Sequence, residues 1–365
     1  MIDRSALQAA LEQVLDPVLA RPLGELGMLR RFEVKRRGGV RVVLALPLAE
    51  HPGRDELAVA VREAARSIPG VSDAEVYYEL MSEEEQAWVG GRLRGETRGV
   101  AIGSSTRVLA VGSGKGGVGK SSVTANLAVA LAEEGHSVGV IDADVWGFSI
   151  PKMLGIDRPP AVLGQMMIPP RGHGVAVVSM DFFVEPDRAV IWRGPMLHKA
   201  VEQFLSDVYW GDPDFLLVDM PPGTGDVAIS LSQFLPRAEA IIVTTPQPTA
   251  QRVAKRAGLM AAQVNQEVLG VVENMAWFTG EDGRRYPIFG EGGGAVLAEE
   301  LGVALLARIP LVSELRAGAD QGRPYTESAP DSEAAEAFRK LAAEVVARRP
   351  RVRSHPQLII KEREE

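Results

Sequence analysis

Residues 108–122 read VLAVGSGKGGVGKSS: an apolar run that breaks into a glycine-rich loop and then into a helix-like stretch. Within it, Gly114-Lys115-Gly116-Gly117-Val118-Gly119-Lys120-Ser121 fits the pattern G-x-x-x-x-G-K-[ST] in full. Glycines let backbone N–H groups curl around a phosphate without interference from a Cβ. A helix beginning near Gly119 aims its positive N-terminal end at the same anion. Gly114, Lys115, Gly116, Gly117, Val118, Gly119, Lys120, Ser121 and Ser122 are therefore the candidate nucleotide-binding residues. Lys120 is expected on the β and γ phosphates and the Ser121 hydroxyl on Mg²⁺. A glycine turn without a ligand is the plain alternative, and the strand before and helix after weigh against it.

Working outward, apolar runs recur at 138–141, 175–178, 215–218, 240–243 and 268–272, each followed by loop and helix-like sequence. Continuous apolar strands alternating with helices suit a parallel sheet covered on both faces. The expected fold class is α/β, a doubly wound, mostly parallel sheet. Helices are expected at 119–134, 196–208, 249–264, 294–301 and 331–347. Two runs end in acids. The first closes on Asp142-Ala143-Asp144 and the second on Asp219, followed by the turn-rich Met220-Pro221-Pro222-Gly223-Thr224-Gly225-Asp226. Carboxylates at the carboxyl ends of neighbouring parallel strands lie where open α/β sheets bind ligands. Asp219 is thus a candidate Mg²⁺-side residue, and of Asp142 and Asp144 one could hold Mg²⁺ through water while the other orients the attacking water.

Upstream of the loop, residues 1–94 read as a small α+β unit. A helix over 5–15 is stopped by Asp16-Pro17. Strands at 29–34 and 40–46 flank a Gly38-Gly39 turn, and a helix (54–67), a strand (74–80) and a further helix from 81 to about 92 follow. Residues 95–106 are polar and glycine-rich, as in a linker. The P-loop domain is expected over 107–348, with a charged tail at 349–365.

Composition narrows the chemistry. The 365 residues contain no cysteine, which excludes disulfides, thiol nucleophiles, Cys-ligated zinc and clusters bound by this chain's own thiolates. Five scattered histidines show no metal-ligand spacing. A net charge of −8 argues against broad nucleic-acid binding. No apolar run approaches the ~18 residues of a membrane span, and the charged N-terminus does not resemble a signal peptide. A cytoplasmic protein without membrane or nucleic-acid partners is expected.

Taken together, GSGKGGVGKS, DADVWGFSIP, WRGPM, DMPPGTGD, TTPQ, GVVENM and IFGEGGG resemble the Mrp/ApbC family of P-loop ATPases, known as iron–sulfur cluster carriers. The likeness spans residues 100–345, and the first 80 or so resemble an assembly-factor domain often fused upstream, on the DP at Asp16-Pro17 and the LGM at 26–28. The resemblance implies ATP and Mg²⁺ as cofactors, ATP hydrolysis, and a homodimer with nucleotides at its interface. It also implies iron–sulfur assembly proteins or apoproteins as partners. Lys115 resembles the lysine of the deviant MinD/ParA class that reaches the partner subunit's nucleotide. By the same likeness, Lys115, Lys120 and Asp144 are catalytic, Asp142 and Asp219 lie on the metal side, and Asn274 is a candidate for adenine recognition. A capping role for Asn274 is the alternative.

The resemblance fails at one place. Cluster-carrying members have a Cys-x-x-Cys just after the ENM-x-x-F stretch, here Glu273 to Phe278, whereas this chain runs on as TGEDGRRY, residues 279–286. Its EDG, with Gly283 free to take positive φ, predicts a plain hairpin. In the upstream domain His51 stands before Pro52, where a cysteine is often found. Three functions stay open: an ATPase assisting iron–sulfur assembly, a MinD/ParA-like positioning switch, and a scaffold that uses ATP only to fix its dimer. The switch needs a basic DNA face or a membrane helix, and the short acidic tail supplies neither. Trp146, Trp192, Trp210 and Trp277 are expected mainly in packing, as are Met166, Met167, Phe182 and Phe183. Arg193 is a candidate anion or interface contact.

Overall fold

The computed structural model describes residues 2–96, 102–103, 105–144, 147, 149–184, 194–223, 233–264 and 266–348. Trp146, Trp192, Arg193, residues 224–226 and the tail at 349–365 lie outside them.

The first residues build a three-stranded sheet in the order β1 (Leu29–Val34), β2 (Gly39–Leu46), β3 (Asp73–Leu80). β1 and β2 are antiparallel, whereas β2 and β3 run parallel through the crossover helix Arg54–Arg66. The first helix, Arg4–Glu12, starts where the Asp3 carboxylate accepts from the Ser5 and Ala6 N–H groups. It ends three residues earlier than expected, because Leu15 leaves the helix to pair with Pro22. The turn between β1 and β2 has positive φ at Arg37 and Gly38 (75° and 84°), so the reversal falls one residue before the Gly38-Gly39 pair. The following helix covers Glu83–Glu96, longer than the sequence expectation.

The larger unit is an eight-stranded sheet. Its strands are β4 (Arg107–Ser113), β5 (Val138–Asp142), β8 (Arg171–Gly172), β9 (Val175–Ser179), β10 (Phe215–Asp219), β11 (Glu239–Thr244), β12 (Glu267–Glu273) and β15 (Ala304–Arg308). Their order is β15-β12-β11-β4-β10-β5-β9-β8, and only β8 pairs antiparallel. One face packs on helices Lys120–Glu133 and Glu333–Ala347. The other carries Gly194–Ser206 on one half, and Pro248–Gln263 with Gly293–Leu301 on the other. This is the doubly wound sheet expected from the apolar runs. β15 escaped the sequence reading because ALLAR is short, helix-prone and on an edge. Sheet order puts β4 between β10 and β11, so the loop after β4 and the acids ending β5 and β10 meet at one crevice.

Two short hairpins complete the unit: β6 (Ala161–Leu163) with β7 (Met166–Ile168), and β13 (Phe278–Thr279) with β14 (Arg285–Tyr286). The first joins the two sheets. Leu163, Met166, Ile168 and Tyr209 belong to the hydrophobic core of the small unit, and the Tyr209 hydroxyl donates to the Leu19 carbonyl at 2.8 Å. Gly90, on the helix Glu83–Glu96, makes this docking possible: a Cβ there would lie 2.2 Å from the Leu163 carbonyl oxygen. Among the described residues no helix is long and apolar enough to cross a membrane.

Candidate nucleotide site

β4 ends at Ser113, and the chain turns over the sheet's carboxyl edge before the helix Lys120–Glu133 begins. The turn requires φ of 78° at both Gly117 and Gly119, a region open to glycine. Gly119 is the helix N-cap and offers no side-chain acceptor, so the first-turn N–H groups carry no side-chain cap. Gly114 is needed for proximity instead, since a Cβ there would come within 2.2 Å of the Val253 carbonyl carbon. Loop, helix start and Asp144 surround a cavity of about 330 Å³, lined among others by Lys115, Lys120, Ser121 and Ser122.

At its floor is a buried charge cluster. The Lys120 ammonium, 6% exposed, stands 2.6 Å from Asp219 Oδ2 and 3.3 Å from Asp144 Oδ2. The Ser121 hydroxyl donates to Asp219 Oδ2 at 2.6 Å and the Thr124 hydroxyl to Oδ1 at 2.7 Å. Asp219, fully buried, thus has both oxygens satisfied by one helical turn. Thr124 was not singled out from the sequence. Its signal was present, because position i+4 from Lys120 lies on the same helix face.

Asp142 stands in register with Asp219 across the β5–β10 pair, but behaves differently. Its Oδ2 accepts from the Ser149 and Ile150 N–H groups (3.2 and 3.3 Å) and from the Ser179 hydroxyl at 3.1 Å, while Oδ1 accepts from the Asp144 N–H at 3.3 Å. Burial first, then repulsion from Asp219, pushes its carboxyl up to about 7. Asp142 therefore anchors the strand end to the start of the short helix Ile150–Met153.

The other predicted residues have definite places. Lys115 donates to Gln247 Oε1 at 3.2 Å, a partner quoted in TTPQ but given no role from sequence. The Asn274 amide donates to the Val118 carbonyl at 2.9 Å. Beside it, fully buried Glu273 accepts from Arg308 Nε at 2.8 Å and from the Gly294 N–H at 2.5 Å. Trp210 is buried, its indole N–H donating to the Phe204 carbonyl. Met166 is buried, whereas Phe183 is exposed.

Where the resemblance implies a Cys-x-x-Cys, this chain has the hairpin β13–β14. Phe278 pairs with Tyr286 and Thr279 with Arg285, and Gly283 takes φ of 73° at the tip, as the EDG predicted. The Trp277 ring faces the guanidinium groups of Arg285 and Arg308, 4.4 and 5.3 Å from its centre. Glu333 accepts from Trp277 Nε1, the Thr279 hydroxyl and Arg285. Among the described residues no group of three His, Asp or Glu side chains forms a metal-binding cluster. In the small unit, buried His51 and Asp16 face each other with Nε2 and Oδ2 2.9 Å apart.

Comparison with known proteins agrees with this fold. A family model described as a NUBPL iron-transfer P-loop NTPase matches residues 104–346, and one for an iron–sulfur cluster assembly protein matches residues 4–77. An iron–sulfur cluster carrier protein of Mycobacterium leprae is 46% identical over 360 residues, covering 96% of this chain and 94% of its own. This chain belongs to the iron–sulfur cluster carrier family of P-loop NTPases. The family's Bacillus subtilis carrier is 43% identical over 316 residues, covering 85% of this chain and 89% of its own. Among solved structures, a nucleotide-binding protein of Archaeoglobus fulgidus in complex with ADP superposes with a TM-score of 0.56 at 35% identity. The match covers 68% of this chain and 96% of that one. The cell division ATPase MinD of Pyrococcus furiosus follows at 0.50 and 28%, covering 66% and 98%. Within this carrier family, the chain has no cysteine of its own.

Proposed function

We propose that this chain binds ATP with Mg²⁺ at the loop 114–122, hydrolyses it as a homodimer, and serves iron–sulfur cluster assembly or transfer while partner proteins supply the cluster's thiolates. The observation that carries the reading is the buried Lys120, Asp144 and Asp219 with the half-buried Ser121 beneath a glycine loop that has no side-chain cap. Lys120 neutralises Asp219 at 2.6 Å. When a triphosphate enters, the ammonium moves to the β and γ phosphates, releasing Asp219 Oδ2 and the Ser121 hydroxyl. These hard oxygen donors, with Asp142 behind them, fit Mg²⁺. When bound, Mg²⁺ neutralises charge on the β and γ phosphate oxygens.

Asp144 orients the attacking water in line with the γ phosphorus. Lys115 leaves Gln247 to reach the nucleotide of the second subunit, adding charge stabilisation in the transition state. Phosphate release then changes affinity for assembly proteins or apoproteins. The protein works in the cytoplasm, without nucleic acid or membrane as partner.

Two experiments test this. Steady-state phosphate release should require Mg²⁺, and Lys115→Ala should slow it without abolishing nucleotide binding; unchanged turnover in that variant removes the cross-subunit role. Anaerobic incubation with iron and sulfide should leave no iron on the purified dimer. A stable visible cluster spectrum from this chain alone would overturn partner-supplied ligation.

A further inference from the structure

From Asn274 we infer a positioning residue that sets the phosphate loop's geometry: its side-chain amide clamps the Val118–Gly119 peptide, so that the N–H of Gly119 is held toward the triphosphate. The inference rests on the nucleotide-binding reading above and deepens it. It differs from adenine recognition, since a clamp acts on the phosphates whatever base they carry.

Three observations converge on it. The Asn274 amide, only 7% exposed, donates to the Val118 carbonyl at 2.9 Å across 156 residues of sequence. A peptide unit is planar and trans, so its C=O and N–H point in opposite directions. Fixing the Val118 carbonyl toward Asn274 therefore fixes the Gly119 N–H on the opposite side of the loop. Second, the amide fills the space that glycine leaves: a Cβ on Gly119 would lie 2.2 Å from Asn274 Nδ2. Gly119 at φ 78° is thus required for both its conformation and its neighbour.

Third, Asn274 stands on a rigid mount. Its own N–H donates to the Thr244 carbonyl at 2.8 Å, tying it to the end of β11. On one side Glu273 is buried and bound to Arg308 and the Gly294 N–H. On the other, Met275 takes a left-handed φ of 56°, turning the chain away at once. A bulky residue in that region costs energy and persists where its surroundings demand it. The segment spends its strain on placing one amide.

The test compares binding of ATP, GTP and inorganic tripolyphosphate, which has no base, to the full-length protein and to Asn274→Asp and Asn274→Ala. The clamp predicts that all three ligands lose the same factor. That factor is about tenfold to a hundredfold, as for a hydrogen bond serving a charged ligand. Asp is expected to be worse than Ala because a carboxylate repels the Val118 carbonyl. Loss of ATP affinity with tripolyphosphate unchanged would identify a base reader and overturn the clamp, as would unchanged affinity for all three. Failure of the unsubstituted protein to bind any of them would instead sink the nucleotide-binding reading itself. Hydrogen exchange supplies a second readout that a general structural role does not move. In nucleotide-free Asn274→Ala, amides of residues 116–120 should exchange faster while the small unit stays unchanged. Uniformly faster exchange throughout, or none at the loop, would refute the clamp.

Discussion

Two carboxylates, one at the end of the large sheet and one beside the small sheet, are pushed in opposite directions. Asp142 is buried at the end of β5, and desolvation with the nearby Asp219 raises it from 3.8 to about 7. Glu85 lies on the surface of the small unit, and hydrogen bonds from Arg30 and the Ser82 N–H pull it from 4.5 down to about 2. The surface carboxylate is already paired with the cation it needs. Among the described residues the cation beside the buried pair Asp142 and Asp219 is the Lys120 ammonium, which Asp144 also shares, so the pair has capacity for further positive charge. A cation-poor cluster of carboxylates at the crevice and a charge-satisfied one on the small sheet distinguish a site from a scaffold.

The largest effect should come from removing that ammonium. Lys120→Ala is expected to lower phosphate release by about a hundredfold to a thousandfold, the scale of losing one preorganised charge stabiliser. Turnover within a few-fold of the unsubstituted protein would break the contrast at its strongest point.

Next in size is the seam between the two units. Gly90→Val puts a Cβ where the Leu163 carbonyl oxygen stands, 2.2 Å away. Overpacking of this kind costs roughly 1–3 kcal/mol, read as a lower melting temperature with faster exchange in helix Glu83–Glu96. An unchanged melting curve would show that the units dock more loosely than their shared core implies.

The pH dependence sharpens the contrast through its sign. Asp142 binds protons more tightly in the folded chain, so between its ordinary 3.8 and about 7 the native state holds more protons than the unfolded one. Stability from this group is therefore present at low pH and lost as pH rises through about 7. Asp142→Asn should flatten this part of the nucleotide-free stability profile. Glu85 has the opposite sign, contributing above 4.5 and losing that contribution as pH falls toward about 2. Glu85→Gln should remove only a small acid-side loss, smaller still at high salt, because the pair is exposed. Urea midpoints measured from pH 3 to 8 check both, and equal slopes in the two variants would contradict the assignment.

Much of this was legible because the relevant residues are neighbours in the chain. The loop 114–121 carries its glycines, lysine and serine in one run, and the helix start after Gly119 is a local event. Asp142 and Asp219 close apolar runs, so their place at strand ends could be read directly. The β13–β14 hairpin followed from the EDG turn. β15 was missed because a short edge strand of helix-prone residues has no distinctive period, and Thr124 was passed over although its i+4 spacing from Lys120 put it on the same helix face.

What the chain determined by itself was the set of elements and the residues able to handle a phosphate, since backbone sterics and apolar periodicity act over a few residues. Only the tertiary structure decided which distant groups meet them. Sheet order sets β10 between β4 and β5 and brings Asp219 beneath Lys120, 99 positions away. It carries Gln247 to Lys115 and Asn274 to Val118, and the docking of the two units brings Tyr209 to Leu19. Those pairings depend on which strands lie side by side. Strand order is settled by packing over the whole sheet, and no local stretch of sequence records it.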